Sequence, residues 1–130
     1  MRTISSEHEG VAFTLVAAQV GPGEWTTYGD ISTAARGDTR WARAVGNEAA
    51  TSTDFPNPHR VLGHGGFITR PTGTADAQRA RGLLEAEGIR FFSGRADPAR
   101  RIHWDELARR AGIGTARGVI RRPGREPDQE

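Results

Sequence analysis

Residues 27–50 read Thr-Tyr-Gly-Asp-Ile-Ser-Thr-Ala-Ala-Arg-Gly-Asp-Thr-Arg-Trp-Ala-Arg-Ala-Val-Gly-Asn-Glu-Ala-Ala. Thr27 through Asp30 has the hydroxyl-x-x-acid spacing of a capping box, in which a side-chain oxygen accepts an N–H left free by the first helical turn. It predicts a short helix over Ile31 to Ala35, about two turns long, ended near Gly37, a residue suited to the left-handed cap position. Asp38 and Thr39 are placed to cap a second helix from Arg40 to about Ala50. Two short helices joined by so tight a turn predict a helix-turn-helix. Arg40, Arg43 and Asn47 fall at i, i+3 and i+7 on one face of the second helix, with Trp41, Ala44, Val45 and Glu48 elsewhere. That polar face carries two guanidiniums and is available to DNA.

Upstream, Val11, Phe13, Leu15, Val16 and Val20 recur at near-helical spacing until Gly21-Pro22-Gly23 interrupts them, predicting a buried scaffold helix over residues 9–20. Downstream, Pro56 and Pro58 mark a turn-rich loop. Arg60-Val61-Leu62 and Phe67-Ile68-Thr69 flank a glycine turn and predict a small β-hairpin or wing. Asp76 to Glu87 predicts a helix with Ala80, Leu83 and Leu84 inward and Gly88 as its stop. Ile89 to Phe92 reads as a short extended segment, and Trp104 to Ala111 as a last helix. The domain so defined spans residues 9–111. Residues 112–130, with Arg117, Arg121, Arg122 and Arg125 and little apolar surface to bury, read as a disordered basic tail.

A chain of 130 residues suffices for one core without covalent staples. All 18 basic residues are arginine, whose planar fork fits phosphate and stacks on bases where an ammonium supplies only a point charge. The net charge of +2 is too small to argue nucleic-acid binding by itself, so any such role rests on a local patch. No apolar run is long enough to span a membrane, and residues 1–10 lack a signal-peptide apolar region, so a cytoplasmic protein is expected. The absence of cysteine excludes disulfides and thiolate metal sites, and the scattered histidines offer no paired spacing for zinc; neither metal nor cofactor is expected. His8, His64 and His103 are read as surface residues, Trp41 as packing, and Trp25 and Trp104 as core or rim.

Four motifs in order, Thr27-Tyr28-Gly29-Asp30-Ile31, Ala42-Arg43-Ala44-Val45-Gly46, Pro58-His59-Arg60-Val61-Leu62 and Leu84-Glu85-Ala86-Glu87-Gly88-Ile89, resemble the DNA-binding domain of the O6-alkylguanine-DNA alkyltransferases, and more closely their cysteine-lacking, alkyltransferase-like relatives. The resemblance implies a mainly α fold, helix-turn-helix and winged-helix-like, with a small β-hairpin. It implies minor-groove binding to double-stranded DNA and rotation of an alkylated guanine into a pocket. Arg43 matches the residue that fills the vacated stack, and Tyr28 the tyrosine that crowds the neighbouring phosphate. The implied pocket wall holds Tyr28, Pro58, His59 and the segment Phe67 to Arg70, with Arg70 facing the base. His59 and Glu87 match the pair that activates the thiol in the enzymes; with no thiol they are expected to persist as a structural hydrogen-bonded link. Arg60 is expected to tie loop carbonyls beneath the pocket.

Two positions depart from the family pattern. Pro58 stands where the enzymes have their cysteine, and Asn57 stands where the family has proline. Alkyl transfer needs a thiolate, which neither hydroxyl nor imidazole replaces near neutral pH. The expectation is therefore a monomeric, non-enzymatic sensor of alkylated guanine that flags the lesion for nucleotide excision repair. The alternative is a generic or regulatory helix-turn-helix DNA binder whose pocket has degenerated around Pro58.

Overall fold

The structure, a computed structural model, describes residues 11–69 and 75–113. Its elements in chain order are α1 (Phe13–Ala17), β1 (Thr26–Thr27), α2 (Tyr28–Arg36), a 3₁₀ turn (Thr39–Trp41), α3 (Ala42–Thr51), a 3₁₀ turn (Pro58–Arg60), β2 (Val61–Leu62), α4 (Ala75–Ala86), the strands β3 (Phe91–Phe92) and β4 (Arg95–Ala96), and α5 (Trp104–Arg110). The architecture is mainly α, with a helix-turn-helix and a small β-hairpin. The expected basic tail lies, apart from residues 112 and 113, outside the described residues, as do Arg70 and His8.

The helix-turn-helix follows from its caps. Thr27 Oγ1 accepts the Asp30 N–H at 3.0 Å and donates to Asp30 Oδ2 at 2.9 Å, so helix α2 starts one turn earlier than the apolar pattern alone shows. Gly37, at φ +98°, closes α2 in the left-handed cap conformation, its N–H bonded to Thr33 O. Asp38 then accepts the Arg40 N–H at 2.9 Å. Ser32 fastens the corner from inside, its Oγ donating to Asp38 O at 2.5 Å and accepting the Trp41 N–H at 3.0 Å. The first residues after the cap form a 3₁₀ turn, so the second helix becomes α-helical at Ala42 rather than at Arg40.

Two small cores meet at β2. Val61 belongs to a cluster with Phe13, Val16, Val20, Ile31, Val45, Phe55 and Leu107. Its neighbour Leu62 belongs to a second cluster with Trp25, Leu84, Ile89 and Ala96. Successive strand residues point to opposite faces, so two adjacent β2 residues serve both cores.

Three expectations are corrected. The antiparallel hairpin is β3–β4, not residues 60–69: Val61 and Leu62 instead pair in parallel with Thr26 and Thr27, and Phe67 makes an isolated bridge to Arg95. The first helix is five residues long, because Gln19 and Val20 bond back to Val16 and Ala17 in tightened turns; Leu15 faces outward. Leu83, expected inward, is 45% exposed, whereas Ala80 and Leu84 are buried. Among the described residues no helix is long and apolar enough to cross a membrane, and no group of three or more His, Asp or Glu side chains is arranged to hold a metal ion.

Candidate nucleic-acid interface

A cleft of about 820 Å³ opens beside the second helix of the helix-turn-helix. One wall is α3, which presents Arg43, Gly46, Asn47 and Ala50 as a single helical stripe. The small residues Gly46, Ala49 and Ala50 leave the space that larger side chains would fill. Arg43 and Asn47 are exposed on this stripe. Arg40 is exposed too, but it sits on the 3₁₀ turn, pairs loosely with Asp38 at 3.4 Å and does not line the cleft. Trp41 is partly exposed, with the Arg36 guanidinium 5.8 Å from its ring; Arg36 also lies 4.4 Å from the Phe13 ring.

Tyr28, the first residue of α2, forms the base of that wall. Its ring lies beside Gly46, where a methyl group would rest in ordinary contact at 3.8 Å. Its hydroxyl is 2.9 Å from Thr69 Oγ1 across the cleft. Thr69 lines the cleft while Phe67, two residues earlier, is exposed and outside it. Of the expected pocket segment Phe67 to Arg70, Thr69 is therefore the described residue that reaches the site.

Pro58 and His59 form the floor. The two departures at residues 57 and 58 are physically coupled. Asn57 adopts φ +52°, ψ +46°, a left-handed conformation that asparagine tolerates and that proline, fixed near −65°, cannot adopt. The following Pro58 in turn disfavours the right-handed helical region for residue 57. An Asn-Pro pair thus sets the floor with a backbone that a Pro-Cys pair could not share.

Behind the floor Glu87 is the centre of a hydrogen-bonded knot. His59 Nε2 lies 2.9 Å from Oε2; Arg60 Nη2 donates to Oε2 at 2.8 Å and Arg60 Nε to Oε1 at 3.0 Å; and the Gly23 N–H donates to Oε1 at 3.2 Å. Arg60 Nη1 also donates to Val20 O at 3.0 Å. Burial opposes ionisation of Glu87, but the donors from Arg60, His59 and Gly23 outweigh it and hold the carboxyl at about 2. The knot joins the floor to α4 and to the Gly21–Gly23 turn, and Arg60 points into it rather than toward solvent. No side chain here is a free nucleophile, so the knot holds the floor in place.

The sequence predicts helix α4 but not its place as a second wall of the cleft. Asp76, Arg79, Ala80 and Leu83 line the cleft at i, i+3, i+4 and i+7, and this stripe was visible in the spacing once Leu83 was allowed to face outward.

A helix-turn-helix with an unpartnered guanidinium lining a cleft beside its second helix has the form of a nucleic-acid-binding domain. Over residues 12–89 the chain matches the family described as 6-O-methylguanine DNA methyltransferase, DNA binding domain, and it belongs to that family. A crystal structure of S. pombe Atl1 in complex with damaged DNA containing O6-carboxymethylguanine is similar to it, with 27% sequence identity, a TM-score of 0.53, and coverage of 71% of this chain and 83% of that one. No curated protein matches the chain. Lacking any cysteine, it is an alkyltransferase-like, non-catalytic relative of the alkyltransferases.

Proposed function

We propose that the protein recognises alkylated guanine in double-stranded DNA by rotating it out of the helix and holding it, unreacted, in the cleft between α3 and α4. The carrying observation is Arg43, whose exposed side chain makes no hydrogen bond, ion pair or ring contact and which lines the cleft together with Tyr28. Entering from the minor groove, its flat cation stacks in the gap left by the base and donates to the orphan cytosine. Arg40 and Asn47 contact the backbone on either side, and Tyr28 crowds the phosphate next to the lesion. Unstacking costs a few kcal/mol, and least for a base that already pairs badly, so the weak pairing of O6-alkylguanine supplies part of the selectivity. The remainder comes from the walls, including Tyr28, Pro58 and His59.

The openness of the cleft around Pro58 supports this reading over a generic helix-turn-helix binder, for which a filled pocket would serve equally well. Without an acceptor atom the lesion stays in place, and the kinked, persistent complex of one monomer on cytoplasmic DNA is what nucleotide excision repair then takes over. The test is the fluorescence of pyrrolo-deoxycytidine placed opposite O6-methylguanine. Protein binding is expected to raise it as the pair opens, and Arg43→Ala to abolish the rise; binding without any rise defeats the flipping mechanism. Radiolabelled methyl DNA is expected to leave no label on the protein.

A further inference from the structure

The α4 wall carries a cation that the proposed mechanism leaves without a role. Arg79 lines the same cleft as Arg43, from α4 where Arg43 stands on α3. Most arginines of the described chain are engaged: Arg60 with Glu87, Arg101 with Asp30, Arg110 with Glu24 and Glu106, and Arg81, two residues along α4, with Glu85 and the Phe91 ring. Arg43, Arg79 and Arg100 are alone among the described arginines in that their side chains make no hydrogen bond, ion pair or ring contact. Two of these three line the cleft. Arg79 stays free although Asp76, three residues before it, stands at a spacing that permits a helix ion pair.

A guanidinium with all its donors unused on a concave wall matches one chemistry best, a planar or tetrahedral oxyanion taken by two parallel hydrogen bonds. The cleft, at about 820 Å³, lies near the upper end of the roughly 300–1,000 Å³ typical of ligand pockets. It has room for a purine with an extended substituent.

We infer that Arg79 is the anion-binding arm of this cleft, taking an oxyanion that enters with the base. This rests on the reading that an alkylated guanine occupies the cleft. The oxyanion comes from one of two sources, a carboxylate carried on the O6 substituent or a phosphate of the everted nucleotide. Asp76, on the same stripe, opposes either, so its neutralisation strengthens the interaction.

The experiment measures affinity, and its dependence on salt, for duplexes carrying guanine, O6-methylguanine or O6-carboxymethylguanine. The proteins are the wild type, Arg79→Gln, Asp76→Asn, and Arg100→Gln as a matched charge loss away from the cleft. Because the Arg79 side chain is exposed and unpartnered, Arg79→Gln is expected to melt as the wild type does. A loss of roughly tenfold or more, the scale of a charge-assisted hydrogen bond, confined to the carboxymethyl duplex assigns the adduct carboxylate. An equal loss on the two lesion duplexes, larger than on the guanine duplex and with a salt dependence reduced by about one phosphate contact, assigns the phosphate of the everted nucleotide. Asp76→Asn is expected to shift the same duplexes in the opposite direction. No loss with Arg79→Gln, an equal loss on all three duplexes, or an equal loss with Arg100→Gln overturns the inference. A wild-type protein that binds all three duplexes alike defeats the lesion reading itself, whereas a wild type that prefers the lesion duplexes beside an Arg79→Gln variant that matches it defeats the inference alone.

Discussion

The Tyr28 hydroxyl lies 2.9 Å from Thr69 Oγ1, which ties the first turn of α2 to a loop residue on the far side of the cleft. The bond is solvent-accessible, so its loss has little effect on folding, about 1 kcal/mol or less. It does fix where the tyrosine ring points. Tyr28→Phe is therefore expected to leave the unfolding midpoint nearly unchanged and to weaken binding of O6-methylguanine duplexes more than of intact duplexes. Equal losses on the two duplexes at one fixed salt would remove the tyrosine from the flipping step.

Arg43 is exposed and unpartnered, so Arg43→Ala is expected to change stability by no more than about 0.5 kcal/mol, the usual range for surface positions without special contacts. On DNA the effect separates by duplex. A residue acting only on phosphates weakens all sequences alike, whereas one filling the vacated stack weakens the lesion complex more. The ratio of lesion to intact affinity is expected to fall toward one, as read by competition binding.

Local chemistry made the helix-turn-helix legible. The Thr27 cap, the left-handed Gly37 and the Asp38 cap each act within four residues, and each is visible as a residue type at a spacing. The motifs at Tyr28, Arg43, Asn47, Pro58 and His59 converge on one cleft because α2, α3 and the Pro58 turn are adjacent in space. The β1–β2 pairing was not legible. A strand of two residues has no alternation to read, and its partner lies more than thirty positions away. Leu83 and Leu84 are adjacent and alike in sequence; only the tertiary placement of α4 decides that Leu84 packs against Trp25 and Ile89 while Leu83 lines a cleft. The Asn57 conformation was likewise hidden, since asparagine is permitted, and not compelled, to adopt positive φ.

Glu87 couples the floor of the cleft to acid stability. Its folded-state value of about 2 lies below the 4.5 of an ordinary glutamate, so the unfolded chain takes up a proton at this carboxyl before the native one does. The contribution is complete above about pH 4.5 and is lost as pH falls toward about 2. Glu87→Gln leaves the Arg60 guanidinium, 12% exposed, without its counter-charge, and is expected to cost about 2–4 kcal/mol near neutral pH. Denaturant titrations should show a gap between wild type and variant that is constant above pH 5 and narrows below pH 4.5. Glu106 is also held at about 2 by Arg109 and Arg110, but both proteins share it, so it drops out of the difference. A gap independent of pH would mean that the knot holds by shape rather than by charge.

Gly63 sets how closely Thr69 approaches the site. A methyl group at residue 63 would stand 2.8 Å from Thr69 Cγ2, too close for the two to coexist, although φ of −76° at Gly63 suits any residue. The conflict is thus between side chains and not within the backbone. Gly63→Ala is expected to destabilise by about 1–3 kcal/mol, as overpacking does, and to push Thr69 away from Tyr28, with lesion binding falling as it does in Tyr28→Phe. Thr69→Ser removes the offending methyl and keeps the hydroxyl that meets Tyr28, so by itself it should be nearly neutral. Combined with Gly63→Ala it should restore both stability and lesion preference, giving a coupling between the two positions well above the roughly 0.5 kcal/mol at which independent sites add. Additive losses in the double variant would place the damage at the Gly63–Phe67 backbone hydrogen bond instead, and Thr69 would no longer be the link through which this turn shapes the cleft.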